Sequence, residues 1–268
     1  MPPPLTPVLM VGAGLMGGAL ITGWRRAGAV SAAELILRDP APGEAAQSAA
    51  RDGASLNGPA VGLAKARTVL LAVKPQAWRA MAREVAPYLA RDAVIISIMA
   101  GVGARDLAEA FPGRPIARVM PTTSAAALKG AASVWAADAR GREVAHRLFE
   151  PLGVVADLTD EAQMHAATAA SGSAPAYFYA LVEALEAAAV DAGLTAETAR
   201  QLARSALVGA AALMEGTGAE AGDLRQQVTS PGGTTEAALR VLTGEGMLTD
   251  LVKRAVRAAA ARSRELGS

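Results

Sequence analysis

The sequence has no cysteine and only two histidines among its 268 residues. That excludes a disulfide framework, a thiolate nucleophile and a thiolate metal site, and it leaves too few imidazoles for a zinc cluster. No metal is expected. Aromatic residues make up 3% of a chain that is 52% hydrophobic. A core must therefore be assembled from Ala, Val and Leu, which suits closely packed helices and buried parallel strands. The net charge is +1 and no long basic run occurs, which argues against nucleic acid and an anionic membrane as partners. The opening residues, Met1-Pro2-Pro3-Pro4-Leu5-Thr6-Pro7, show no basic stretch leading into an apolar one. No secretory signal is read there, and a cytoplasmic protein is expected. The stretch from 162 to 182 lacks Asp, Glu, Lys and Arg but holds Gln163, His165, Thr168, Ser171, Ser173 and Pro175. That is too polar for a lipid span of ~20 apolar residues, so it reads as a buried helix pair.

What is present begins at residue 8. Val8-Leu9-Met10-Val11 reads as a strand, Gly12-Ala13-Gly14-Leu15-Met16-Gly17 supplies GxGxxG, and Ala19 to Ala27 reads as a helix closed by Gly28. This is the dinucleotide-binding arrangement. Gly12 serves the tight turn, Gly14 lets the backbone approach a pyrophosphate, and Gly17 allows close helix-on-strand packing, with Leu15 and Met16 opening the helix inside the same cradle. A second strand, Glu34-Leu35-Ile36-Leu37, ends in Arg38-Asp39 where a ribose reader is expected. The pair sends mixed signals, because Asp would bind the ribose hydroxyls of NAD(H) whereas Arg would pair with the 2′-phosphate of NADP(H). Register alone decides which side chain faces the ribose. Further strands are read at residues 68–73, ending at Lys74-Pro75, at 93–98, ending at Met99-Ala100-Gly101, at 115–121, and at 133–136 with 153–156. Ligands of open parallel sheets lie beyond the carboxyl ends of the strands, so Ala72, Val73, Lys74, Pro75, Met99, Ala100 and Gly101 are expected to edge the cofactor.

After residue 158 strand signals stop. Helices are read at residues 160–170, 174–192, 196–215, 219–228, 235–242 and 247–266, punctuated by glycines. The expected fold is α/β followed by all-α, with a Rossmann-type doubly wound sheet over 1–158 and a helical domain over 159–268. Within the second part, Val228-Thr229-Ser230-Pro231-Gly232-Gly233-Thr234-Thr235 runs straight into a helix. Glycines at 232 and 233 let the backbone approach a ligand, and the helix start points unpaired N–H groups back at the loop, which suits a small anion. The plainer alternative is a helix capped by Thr234 or Thr235. His146 is read as a solvated helix residue, His165 as a hydrogen-bonded structural histidine, and Tyr177 and Tyr179 as helical core.

GxGxxG at 12–17, Ala72-Val73-Lys74-Pro75, the run 97–102, Arg118-Val119-Met120-Pro121, Ser171-Gly172-Ser173-Ala174-Pro175-Ala176-Tyr177 and the run 228–235 occur in the order and spacing of pyrroline-5-carboxylate reductases, which the chain resembles over nearly its whole length. The resemblance implies reduction of the C=N bond of 1-pyrroline-5-carboxylate by NAD(P)H, with NADP(H) preferred, to give L-proline. It implies a homodimer through the helical domain, in some members a ring of dimers such as a decamer, with active sites between subunits. It also implies that Ser230, Gly232, Gly233 and Thr234 cradle the substrate carboxylate and that Thr235 lies near the ring nitrogen, as the candidate catalytic residue. Departures are Thr122-Thr123-Ser124 where Asn-Thr-Pro is usual, Ala174 for Gly, Leu15 for Asn, and Glu220 to Gln226 before the substrate loop. They leave a related cyclic imino acid open as substrate. A β-hydroxyacid-type dehydrogenase would need a lysine early in the helical part, and the only lysine beyond Lys129 is Lys253. A non-catalytic NADP sensor would have no use for the second glycine loop.

Overall fold

The computed structural model describes residues 5–266. Strand and helix alternate as β1 (Val8–Val11), α1 (Leu15–Ala27), β2 (Leu35–Arg38), α2 (Glu44–Arg51), β3 (Ser55–Leu56), β4 (Thr68–Leu71), α3 (Trp78–Val85), β5 (Val94–Ser97), α4 (Ala104–Ala110) and β6 (Ile116–Pro121), then β7 (Gly130–Ala136), α5 (Ala139–Phe149) and β8 (Gly153–Asp157). The strands form one sheet in the order β3-β2-β1-β4-β5-β6-β7-β8. Every pairing is parallel except β6 with β7. The sheet is doubly wound, as the sequence suggests.

The central strands are apolar throughout because both of their faces are covered. Val8, Met10, Leu70 and Ile96 point into one layer with Leu20, Ile21 and Trp24 of α1 and Val144 and Leu148 of α5. Leu9, Val69, Leu71 and Ile95 point into the other, against Trp78 and Ala82 of α3 and Leu107 of α4. Two of the few aromatics meet in this first layer. Trp24 is fully buried, meets Phe149 edge-on with 6.5 Å between ring centroids, and donates its indole N–H to the Leu148 carbonyl at 2.7 Å. Leaving that buried donor unpaired would cost about 1–3 kcal/mol.

Beyond β8 the chain continues through α6 (Met164–Ala167), α7 (Ala174–Asp191), α8 (Ala196–Thr217), α9 (Ala221–Gln227), α10 (Thr234–Thr243) and α11 (Met247–Glu265). Two compact units result, one running to Gly172 and including the chain from Arg257 onward, the other Ser173–Val256. The boundary expected at residue 158 falls just after β8, whereas the first unit runs on to Gly172 because Met164 and Ala169 are buried against it. One sequence expectation needs correction here. Residues 160–170 do not form one helix but a 3-10 turn, the short α6 and a π turn over Thr168–Gly172. The hydroxyls of Thr168 and Ser171 donate to the carbonyls four residues back, of Met164 at 2.7 Å and Ala167 at 2.9 Å, which bends and widens helices. The edge strand β3, too short to show a period in the sequence, went unread.

In the second unit α7 packs on α8, and Glu186 of α7 pairs with Arg204 of α8 at 2.9 Å. Tyr179 is 64% exposed and Tyr177 only half-buried, so neither forms the helical core expected of them. The reason is that these helices are apolar around most of their circumference, and one chain covers only part of it. Phe178, Leu181, Val208, Leu213, Val241 and Leu251 also lie open. Among the described residues no helix is long and apolar enough to cross a membrane.

His146 also departs from expectation. Its side chain is 26% exposed and lies between two carboxylates, with Nδ1 2.8 Å from Glu150 Oε1 and Nε2 3.1 Å from Asp157 Oδ2, tying α5 to the edge strand β8. Burial alone would lower the imidazole's pKa, but the bonds to Glu150 and Asp157 and their charges prevail, so it is raised above its ordinary value. A group whose pKa is raised on folding adds stability below its unfolded pKa and loses it as pH rises through the folded value. Urea unfolding of wild type and His146→Leu should therefore show a larger stability gap at about pH 5.5 than at about pH 8.5. An equal gap at both would mean that the bridge holds no extra proton.

Candidate active site

The glycine loop after β1 is fixed by a backbone approach. Gly12 has φ +93°, and a Cβ built on it would lie 2.5 Å from the Ala72 carbonyl oxygen and 2.9 Å from the Val73 nitrogen. Its N–H donates to the Arg38 carbonyl at 2.8 Å, while the Ala72 N–H donates to Val11 at 2.7 Å. The loop is thereby pinned between the ends of β2 and β4, on either side of β1, where the winding of the sheet reverses. A Cβ on Gly17 would collide with the Gly12 carbonyl, but one on Gly14 would meet no protein atom within 4 Å. Packing thus requires glycine at 12 and 17 and leaves open space at 14. The start of α1 has no side-chain cap and no acidic residue in its first turn, and Leu15 there is 85% exposed. Uncapped N–H groups at a helix start beside a bare backbone fit a pyrophosphate.

Arg38 and Asp39 at the end of β2 differ in their hydrogen bonds. Asp39 turns inward, its Oδ2 accepting from the Ala13 N–H at 2.5 Å and its Oδ1 from the Ala41 N–H at 2.7 Å. Its carboxylate is committed to holding the glycine loop. The Arg38 Nε, by contrast, is buried and has no hydrogen-bond partner. Asn57, which the sequence reading missed, adopts φ +51° and clamps the Asp39 peptide, accepting its N–H at 3.1 Å and donating to its carbonyl at 2.8 Å. The Asn57-Gly58 dipeptide was the available signal, since it marks a turn.

The other expected cofactor residues lie on the same edge of the sheet. Ala72 and Val73 back onto Gly12, and Lys74 precedes a 3-10 turn over Pro75–Ala77. Met99 is buried with its N–H donating to the Ser97 hydroxyl at 3.3 Å, and Gly101, next to Ala100, takes φ +83°. Beneath this edge Arg118 of β6 is buried and pairs with Glu161 at 2.8 Å, through a carboxylate oxygen that also accepts the Ala104 N–H at the start of α4 at 2.6 Å. Thr122, one of the departures noted above, is buried and structural. Its hydroxyl lies 2.8 Å from that of Ser124 and accepts from the Ala131 N–H at 2.9 Å, closing the connection from β6 to β7. His165 is hydrogen-bonded, as read, with Nδ1 3.0 Å from the Ser263 hydroxyl. Burial first, then repulsion from Arg118 and Arg264, lowers its pKa and favours the neutral ring.

In the second unit, the loop before α10 is a tight turn. The Thr229 hydroxyl donates to the Arg225 carbonyl at 2.6 Å, and the Gly233 N–H donates to the Ser230 carbonyl at 2.9 Å. Gly232 takes φ +70°, and its N–H donates to the Glu236 carboxylate at 2.7 Å. Gly233 is the N-cap, so neither Thr234 nor Thr235 caps the helix, and no side chain does. The plainer reading of the threonines as caps therefore fails. Both glycine N–H groups are turned into the loop, while the first-turn N–H groups of a helix, here from Thr234 on, have no partner within the helix. Among the described residues no cluster of His, Asp or Glu suits a metal ion.

Comparison with known proteins matches residues 161–266 to the family model for pyrroline-5-carboxylate reductase dimerisation and residues 7–101 to that for NADP oxidoreductase, coenzyme F420-dependent. The pyrroline-5-carboxylate reductase of Pseudomonas aeruginosa is 40% identical over 97% of this chain and 96% of its own length. The solved structure of a pyrroline-5-carboxylate reductase from Coxiella burnetii superposes with a TM-score of 0.87 at 29% identity, covering 99% of this chain and 100% of the other. That of the Plasmodium falciparum pyrroline carboxylate reductase with NADP bound gives 0.84 at 26% identity, covering 98% of each. The similarity runs through both units, and the chain belongs to the pyrroline-5-carboxylate reductase family.

Proposed function

We propose that this chain reduces the C=N bond of 1-pyrroline-5-carboxylate to give L-proline, the last step of proline biosynthesis, in the cytoplasm and with NADPH as donor. What carries the reading is the uncapped start of α10 behind Gly232 and Gly233, an anion site in a helical unit that has no other use for one. NADPH, when bound, supplies the hydride. The N–H groups from Gly14 to Gly17 hold its pyrophosphate, with Leu15 and Met16 in the first turn of α1. Ala72, Val73, Lys74 and Pro75 edge it on one side, and Met99, Ala100 and Gly101 on the other. Arg38 pairs with the 2′-phosphate, since the Asp39 carboxylate is occupied by the Ala13 and Ala41 amides.

The substrate carboxylate rests on the Ser230 hydroxyl and the N–H groups of Thr234 and Thr235, in a loop shaped by Gly232 and Gly233. Thr235 orients the ring nitrogen. A hydride adds to the imine carbon and a proton to the nitrogen, so positioning and fixed dipoles can supply most of the rate. That proton comes from the Thr235 hydroxyl or from water. Alcohol chemistry would need a lysine base, and Lys253 is a surface residue whose Nζ lies 3.7 Å from Asp250.

The helical part, residues 159–268, is read as the dimerisation and substrate domain and residues 1–158 as the nucleotide domain. A second copy would cover the open apolar side chains of α7, α8, α10 and α11, and dimers could assemble further into a ring such as a decamer.

Three outcomes test this. Thr235→Ala should lower kcat/KM for 1-pyrroline-5-carboxylate by at least about tenfold while leaving the KM for NADPH unchanged; unchanged kcat/KM would remove Thr235 from the site. Gly14→Ala should keep the wild-type Tm but weaken NADPH binding at least about tenfold by fluorescence titration, because its Cβ meets ligand rather than protein. Wild-type affinity in that variant would place the pyrophosphate elsewhere. Arg38→Ala should cut the NADPH over NADH preference by at least about tenfold, as loss of a phosphate pair would. An unchanged ratio would leave Arg38 no role in selectivity.

A further inference from the structure

A carboxylate in the first turn of α10 is at odds with a loop built to receive a substrate anion. Glu236 is the third residue of α10, two residues after Thr234, and its charge would repel a second carboxylate held at the same helix start. Its geometry removes the conflict. The Glu236 Oε2 accepts the Gly232 N–H at 2.7 Å, and Arg240, one turn further on, stands 3.6 Å from the same oxygen. The side chain is thus folded back along the outside of the turn, with its charge balanced by Arg240, and does not occupy the N–H groups of Thr234 and Thr235.

The bond has a second effect. Gly232 holds φ +70°, a conformation that a glycine keeps only when something selects it from several of similar energy. Two bonds select it, the Gly233 N–H to the Ser230 carbonyl on one side and the Gly232 N–H to Glu236 on the other. With the Glu236 bond removed, Pro231-Gly232-Gly233 would gain freedom that substrate binding must then take away, and ordering of a loop on binding weakens affinity without altering the chemical step.

We infer that Glu236 is a positioning residue, which sets the substrate loop by accepting the Gly232 N–H before the substrate arrives. The inference rests on the reading of residues 230–235 as the substrate loop. Its chemistry requires an acceptor at that reach and not a negative charge, so glutamine serves in place of glutamate.

The test is steady-state reduction of 1-pyrroline-5-carboxylate by the full chain as wild type, Glu236→Ala and Glu236→Gln, with hydrogen exchange followed at residues 231–234. Alanine should raise the KM for the imine about tenfold, the effect of losing one charge-assisted hydrogen bond, with kcat and the KM for NADPH unchanged. Glutamine should restore the KM to within about twofold, since its amide oxygen accepts the same bond. Exchange at Gly232 should rise in the alanine variant and not in the glutamine one. An alanine variant with wild-type KM, or a glutamine variant as impaired as alanine, overturns the inference, as does a parallel rise in the KM for NADPH. Should Glu236→Ala lose its fold by its melting curve, Glu236→Asp, one methylene too short to reach the Gly232 amide, carries the same expectation. A wild type that turns over no 1-pyrroline-5-carboxylate would sink the reductase reading instead, and the exchange at Gly232 would still decide the role of Glu236.

Discussion

The nucleotide-binding half of the molecule depends on how closely two pieces of backbone approach, the turn at Gly12 and the end of β4 at Ala72. A single methyl group at position 12 would sit 2.5 Å from the Ala72 carbonyl oxygen. Because it is absent, β1 and β4 can end at the same level and the start of α1 can project beyond them with its N–H groups uncovered. Asp39 completes the arrangement from the other flank by bonding the Ala13 N–H. The carboxylate at the end of β2 is thereby used to hold the loop. Two backbone N–H groups thus share the Asp39 carboxylate, one on each oxygen.

The scarcity of aromatics shapes the rest of the core. A sheet sandwiched by helices needs side chains that fill two layers, and here Val, Leu and Ile alternate between those layers along β1, β4 and β5. Ala at positions such as 46, 49 and 82 brings the helices close to the sheet. The same composition has a different result in the helical unit. Its helices are apolar enough for burial but are too few in one chain to bury one another, so Phe178, Leu213 and Val241 remain open. At about 25 cal/mol per Å² of apolar area, covering side chains of this size would be a large gain.

Most of the fold was legible because periodicity and punctuation agreed. The strands of the central sheet read as uninterrupted apolar runs, and the helices of the second unit were bounded by Gly193, Gly218, Gly244 and Gly246. What was not legible depends on contacts that local pattern does not encode. The π turn at Thr168–Gly172 coincides with hydroxyls bonding back to carbonyls, an option open to any Thr or Ser in a helix. The exposure of Tyr179 depends on how many neighbours one chain can offer. In the site, the loops could be found from glycine spacing, but the inward turn of Asp39, the clamp by Asn57 and the bond from Gly232 to Glu236 could not. Each joins residues whose relation is set by backbone dihedrals at single positions, among them φ +51° at Asn57 and φ +70° at Gly232.

The two glycine loops solve one problem by different means. Both lead into a helix start without a side-chain cap, and on the proposed reading both must keep their own acids away from an anion. Around α1 this is done by sequence, since its first turn holds no Asp or Glu and the nearby Asp39 is bonded to Ala13. Around α10 the first turn does hold an acid, and the conflict is resolved by conformation, with Glu236 folded onto the Gly232 N–H and faced by Arg240. Imine reduction tolerates this economy of chemical groups. The chain has no cysteine, and of its two histidines one is engaged between two carboxylates and the other on a serine hydroxyl. On the proposed reading, two ligands are held by backbone N–H groups and hydroxyls. In both loops a glycine conformation is tied to a neighbouring residue, Ala72 at one and Glu236 at the other.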